Sequence, residues 1–397
     1  MSSYPDVFIV GAARTPIGKF LGGLGTLKAS ELGATAIKEA MVRAGITGKD
    51  VDEVLMGHVV QAGQGQAPAR QAQIKAGIDP FVGAVTINKV CGSGLKAVMM
   101  GTQAIKAGDA ECVVAGGQES MSTAPHYLFT GRTGMKLGDT SLKDGAVYDG
   151  LWCSFNDCHM IELAQYTADK AGLRRDEIDE FSVKSHQKAA AAWAACRFSK
   201  EVAPVTIPQR KGDPVVISKD ESIRGDSTLE GLARLPAVTR DKGGMITAGN
   251  APGLNDGGAA LVLMSGARVK ERGAMPLARV VAYATGGGEP RDLFFAPIDA
   301  VQKLMKKMGV SIGHFDLIEA NEAFAAQAVA DGKALGWDWD RVNVNGGAVA
   351  LGHPIGASGA RVLVTLVHAL EQRNLKTGLA TLCLGGGNAV ALAVERV

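Results

Sequence analysis

Cysteine is scarce in this chain, with six in 397 residues, too few for a disulfide scaffold to hold a fold of this size. An excess of charge of either sign is missing too. The 42 lysines and arginines stand against 40 acidic residues, for a formal net charge of +2, so no global field favours nucleic acid or an anionic membrane. Any anionic ligand must be held by a local patch. No stretch reads as a membrane span. One long uncharged run, residues 378–394, is 17 residues long but holds four glycines and an asparagine, which suits two buried strands joined at GGGN better than a bilayer helix. The start, MSSYPD, has neither the basic residues nor the apolar core of a secretory signal. These absences lead to the expectation of a soluble protein in a reducing, cytoplasmic compartment.

Glycine is what the chain has in plenty: 52 residues, about 13% against a usual share of roughly 7%, without a fibrous period. Tight turns and close backbone approaches follow. The length predicts two or three domains of roughly 100 to 200 residues each. Strand-like VFIV at Val7, helical spacing over residues 30–45 and strand-like VLM at Val54 give α/β alternation. Residues 120–250 break that pattern, with helical pieces at 161–171 and 178–196 between turns, and read as an insertion carrying binding loops.

An internal echo organises the rest. In the first copy, strand TINKV at Thr86 ends at Cys91, GSG at Gly92 opens a helix to Ala107, and strand CVVA at Cys112 ends in glycines. In the second, strand RVNVN at Arg341 leads to His353, ASG at Ala357 opens a helix to about Gln372, and strand LATLC ends at Cys383 before GGG. Related halves would turn two helix N-termini and their reactive residues towards a shared centre.

Three side chains carry the chemistry. Cys91, between a strand end and a helix start, sits where the helix dipole and free amides are expected to lower its pKa and supply a thiolate nucleophile. His353, between glycines 352 and 356 and beside Pro354, is expected to act as its base and as a donor to a thioester oxygen. Cys383 precedes three glycines, where a thiol can exchange a proton with carbon or sulfur. Cys112 is assigned to the core. Asn321 in LIEANEAF is either a helix N-cap or a residue holding a water for an oxyanion hole.

The strings VCGSGLKA at Val90, AGGQESMS at Ala115, TAGNAPGLND at Thr247, NEAFAAQ at Asn321, NVNGGAVALGHPIGASGAR at Asn343 and CLGGG at Cys383 resemble those of the thiolases, specifically the acetyl-CoA acetyltransferases, across nearly the whole length. The resemblance implies a duplicated five-layered αβαβα fold with an inserted loop domain. The first half would span residues 1–120 plus 251–270, the loop domain 121–250, and the second half 271–397. It implies ping-pong chemistry without cofactor or metal: acetyl transfer to Cys91, proton abstraction from a second acetyl-CoA by Cys383, and formation of acetoacetyl-CoA and CoA, with thiolysis as the reverse. His353 would share an oxyanion hole with a water held by Asn321, and the amides of Cys91 and Gly385 would form a second.

The same resemblance assigns Leu151, His159 and Met160 to the pantetheine and acyl pocket, Arg224 to the CoA adenosine diphosphate, and Ala248, Ala323 and Phe324 to substrate contacts. It implies a homotetramer, a dimer of dimers, assembled through residues 125–136, with no nucleic-acid or membrane partner. Pro252 departs from the serine of many biosynthetic members, which leaves chain-length preference open. Other readings remain: a degradative 3-ketoacyl-CoA thiolase of broader chain length, a condensing enzyme acting on acyl carrier protein, a non-catalytic acyl-CoA or lipid carrier, and a zinc site at Cys153, Cys158 and His159.

Overall fold

Apolar runs form the strands, most of them buried on both faces, and their order repeats. The structure, a computed structural model, describes residues 4–240 and 243–397. The first half contains β1 (Val7–Arg14), β2 (Glu53–Gly57), β3 (Gly83–Ile87), β4 (Cys112–Ser120) and β5 (Asn255–Ser265). They lie side by side as β3-β2-β4-β5-β1. β2 runs parallel to both neighbours, whereas β5 is antiparallel to β4 and β1.

The second half contains β6 (Ala278–Gly287), β7 (Leu317–Ala320), β8 (Thr377–Leu384) and β9 (Asn388–Arg396), ordered β7-β8-β9-β6. Here β7 is parallel to β8, and β9 is antiparallel to β8 and β6, which repeats the β2-β4-β5-β1 pairing of the first half. The halves join edge to edge through the short pairing of Phe8–Arg279 and Ile9–Ala278. The echo read from the sequence is therefore a duplication of topology.

Helices complete the layers. α1 (Ala29–Arg43) and α2 (Pro68–Lys75) pack on the first half-sheet. α3 (Ser93–Ala107) lies against the opposite face of that sheet and against a long helix of the second half. α4 (Met160–Lys170) and α5 (Arg175–Ala194) belong to the excursion between β4 and β5. α6 (Ala296–Met308) packs on β6 and β9, and α7 (Ala325–Leu335) follows β7. α8 (Ile355–Arg373) is buried without a break from Ile355 to Leu370, as a helix without a solvent face must be. It contacts α3 and strands of both half-sheets, so α3 and α8 form the middle layer of an α-β-α-β-α stack.

Their crossing explains two glycines. A Cβ at Gly94 would stand 2.6 Å from the Ala360 amide nitrogen, and one at Gly359 would stand 2.4 Å from that of Leu95. Only hydrogen fits at either place, so the first turns of α3 and α8 touch. The two residues that precede them, Cys91 and His353, are brought together by that contact.

Two strand expectations need correction. β3 ends at Ile87 rather than running to Val90. Residues 341–345 make one parallel bridge, Ile318 to Val342, in place of a strand. The reason is Asn343, which turns left-handed at φ +45° and replaces the ladder with its side chain. Its amide donates to the Ala320 carbonyl at 2.8 Å and its oxygen accepts from the Ala320 N–H at 2.9 Å.

Candidate active site

Cys91 is presented by a strained turn. Val90 has φ +46°, an outlier for a β-branched residue that persists only where neighbours enforce it. Here the enforcement is visible. Asn88 Oδ1 accepts from the Val90 N–H at 3.0 Å, and the Ser93 hydroxyl accepts from the Lys89 N–H at 2.9 Å while donating to the Val90 carbonyl at 2.6 Å. The turn holds Cys91 ahead of α3 and at the wall of a cavity of about 290 Å³.

Nine residues expected at the site line this cavity together: Cys91, His353, Cys383, Leu151, His159, Met160, Ala323, Phe324 and Gly385. The wall is otherwise apolar, and Phe294 meets Phe324 edge to face at 5.3 Å between ring centres. Asn321 lies behind the wall, fully buried, with Nδ2 3.4 Å from His353 Nδ1 and Oδ1 accepting from Arg361 at 3.4 Å. It does not cap α7, whose N-cap position is Phe324. Arg224 and Ala248 are exposed and outside the wall. The Arg224 guanidinium rests 3.1 Å from His186 Nε2.

The electrostatics overturn one expectation. Burial pushes the Cys91 thiol up to about 12, against a smaller downward pull from the Gly385 and Cys91 backbone N–H groups aimed at the sulfur. Desolvation of the anion outweighs the helix N-terminus, so the resting group is a thiol. Burial, then the Arg361 charge, drives His353 down to about 3 and keeps the imidazole neutral. Cys383 is raised well above its ordinary value by burial and by the neighbouring Cys91. The site at rest is an uncharged Cys–His–Cys group in an apolar pocket. One imidazole nitrogen, Nε2 of His353, is buried with no hydrogen-bond partner among the described residues, which is the arrangement of a base awaiting a proton.

Sequence reasoning missed the supports. The Ser358 hydroxyl is 2.6 Å from His353 Nδ1. It stood in the quoted ASG string, one helical turn past Pro354, and that position was the signal. Glu119 accepts from the amides of Val59, Val60 and Gly356 at 3.0–3.3 Å and so ties the start of α8 to the first half. Glu322 accepts from Ser185, Asn343 and the Val349 amide. Nothing in the sequence distinguished these buried carboxylates from surface ones.

Comparison with known families decides the lineage. The thiolase N-terminal domain profile matches residues 7–267 and the thiolase C-terminal domain profile residues 274–396. The chain belongs to the thiolase family. Among its relatives, the acetyl-CoA acetyltransferase of Cupriavidus necator is 54% identical over 392 residues, covering 98% of this chain and 99% of that one. The probable acetyl-CoA acetyltransferase of Escherichia coli is 51% identical with the same coverage. The crystal structure of the Bacillus anthracis acetyl-CoA acetyltransferase superposes with a TM-score of 0.97 at 41% identity, covering all of both chains.

Proposed function

We propose that this thiolase is an acetyl-CoA C-acetyltransferase that joins two acetyl-CoA into acetoacetyl-CoA and CoA and runs the reverse thiolysis. The observation that carries the reading is the meeting of Cys91, His353 and Cys383 on one apolar cavity wall. With Cys91 a thiol and His353 neutral, the first step is proton transfer from sulfur to Nε2 as the sulfur attacks the thioester carbonyl. An acetyl-enzyme and CoA result. Asn321 holds a water that shares one oxyanion hole with His353, and the amides of Cys91 and Gly385 form a second.

The departing CoA thiolate takes the proton of Cys383. Cys383, now a thiolate, takes the α-proton of the second acetyl-CoA, and the carbanion attacks acetyl-Cys91, whose released thiolate recovers the proton held by His353. An apolar wall strengthens the donors facing the enolate. Leu151, His159, Met160, Ala323 and Phe324 enclose the acyl and pantetheine groups. Arg224 and Ala248, on the outer surface, are assigned to the CoA arm beyond the cavity. Among the described residues no helix is long and apolar enough to cross a membrane, in keeping with a cytoplasmic enzyme.

We assign residues 121–250 to an inserted domain that closes over CoA. Within it, Phe129, Met135, Leu137 and Leu142 are exposed apolar side chains, an arrangement suited to subunit contact in a homotetramer. Labelled acetyl-CoA followed by peptide mapping tests the function. Label on Cys91 in wild type and in Cys383→Ala, with condensation lost only in the variant, is the expected result; label on any other residue refutes it.

A further inference from the structure

We propose that Cys153 and Cys158 form a reversible disulfide under low-molecular-weight disulfides, and that its closure displaces one wall of the active-site cavity. The two residues face each other directly in the antiparallel hairpin Trp152–Cys153 with Cys158–His159. Directly opposed residues have Cα atoms about 4.5 or 5.5 Å apart according to pair type, both inside the range of roughly 4.4–6.8 Å that a disulfide spans. Their side chains leave the same face of the hairpin. Both cysteines are free, Cys153 buried and Cys158 partly exposed, so one thiol can be reached from solvent and the other stands ready to resolve.

The loop between them is already shaped. The Trp152 indole donates to Asp157 Oδ1 at 3.0 Å, the Asn156 amide donates to Cys153 Sγ at 3.2 Å, and Asp157 turns left-handed at φ +47°. The pair therefore needs little ordering before it closes. It does need movement: opposed Cβ atoms stand about 4.5–5.5 Å apart, and a disulfide draws them to roughly 3.8 Å.

That contraction of about 1 Å has two routes to the chemistry. Leu151, His159 and Met160 flank the pair and line the cavity, and His159 also caps α4 by accepting from the Ile161 N–H at 3.1 Å. At the hairpin tip, a Cβ at Gly386 would lie 3.3 Å from the Phe155 ring, so Phe155 abuts the loop whose Gly385 N–H points at Cys91.

The step balances by thiol–disulfide exchange. Cys158, as thiolate, attacks one sulfur of a disulfide such as glutathione disulfide and expels one thiol. Cys153 then attacks the mixed disulfide and expels the second, so two protein thiols are oxidised and one small disulfide is reduced. The effect on rate rests on the proposed function, but the bond itself does not.

The test uses one tryptic peptide. Cleavage after Lys143 and Lys170 leaves both cysteines in a single fragment. After glutathione disulfide and blocking with N-ethylmaleimide, the expected fragment is unblocked and lighter by two hydrogens than the reduced one, and dithiothreitol restores two blocking groups. In parallel, turnover of acetoacetyl-CoA is expected to fall by about tenfold or more, since a displacement near 1 Å at reacting groups can cost about 10². Reduced Cys158→Ser is expected to keep the wild-type rate and to resist the disulfide. A fragment that still takes two blocking groups overturns the bond. Unchanged turnover with the bond formed, or equal inactivation of Cys158→Ser, overturns its coupling to the site.

Discussion

His353 Nδ1 and the Ser358 hydroxyl are 2.6 Å apart, and Ser358 Oγ lies 2.9 Å from the Pro354 carbonyl. A carbonyl can only accept and a hydroxyl has one proton, so Ser358 donates to Pro354 and receives from Nδ1–H. The imidazole is thereby held in the tautomer with Nε2 unprotonated, the nitrogen left without a partner. Removing the hydroxyl frees the ring to adopt the other tautomer. Ser358→Ala is expected to lower kcat/KM by about 10- to 100-fold, part of the roughly 10² to 10⁴ available to a positioned base. Ser358→Thr, which keeps the hydroxyl, is expected to restore much of it. Stopped assays of both variants across pH, beside their melting temperatures, check this; equal rates for Ala and wild type would show that Ser358 does not set the tautomer.

Acid should unfold this protein partly through the same residue. The native imidazole of His353 titrates at about 3, against an ordinary value of about 6.5 in the unfolded chain. Between those values the unfolded state binds a proton and the native state does not, so stability falls as pH drops from 6.5 towards 3. His186, lowered to about 4 by burial and by Arg224, adds to the slope. Urea unfolding of His353→Asn at several pH values is expected to show a shallower decline over this window, and an unchanged slope would contradict the assignment.

The crossing of α3 and α8 has no room for a methyl group. With a Cβ placed 2.6 Å from the Ala360 nitrogen, Gly94→Ala forces backbone apart and is expected to cost about 1–3 kcal/mol, the usual range for overpacking. Because the same contact sets the separation of Cys91 and His353, acylation by labelled acetyl-CoA is expected to slow more than the stability loss alone would cause. Rates measured well below the melting transition separate the two.

Asn343 carries more than its own turn. Asn343→Ala removes two hydrogen bonds to Ala320 and a 2.7 Å donor to Glu322, leaving a buried carboxylate short of one partner. A loss of about 2–4 kcal/mol is expected, from unsatisfied groups at about 1–3 kcal/mol each with partial relaxation. Denaturant midpoints measure it, and a variant as stable as wild type would remove Asn343 as the tie between β7 and the segment 341–345.

Much of the fold was legible because burial leaves a local trace. The runs at Val7, Val54, Cys112 and Leu379 became strands, and 30–45, 161–171 and 178–196 became helices within a few residues. What failed did so where a side chain replaced backbone: Asn343 bonds across to Ala320, and no propensity at residues 341–345 reports that. Likewise the left-handed Val90 depends on Asn88 and Ser93 acting together.

The sequence by itself determined the parts: a repeated strand–helix–strand order, reactive residues set ahead of helices, and glycines where backbones had to meet. Only the tertiary structure decided their state. The ionisation of Cys91 depends on how much water burial removes, and the tautomer of His353 depends on which oxygen accepts from Nδ1. Both are properties of surroundings assembled from distant segments, and a linear pattern carries the identity of a residue but not its solvent.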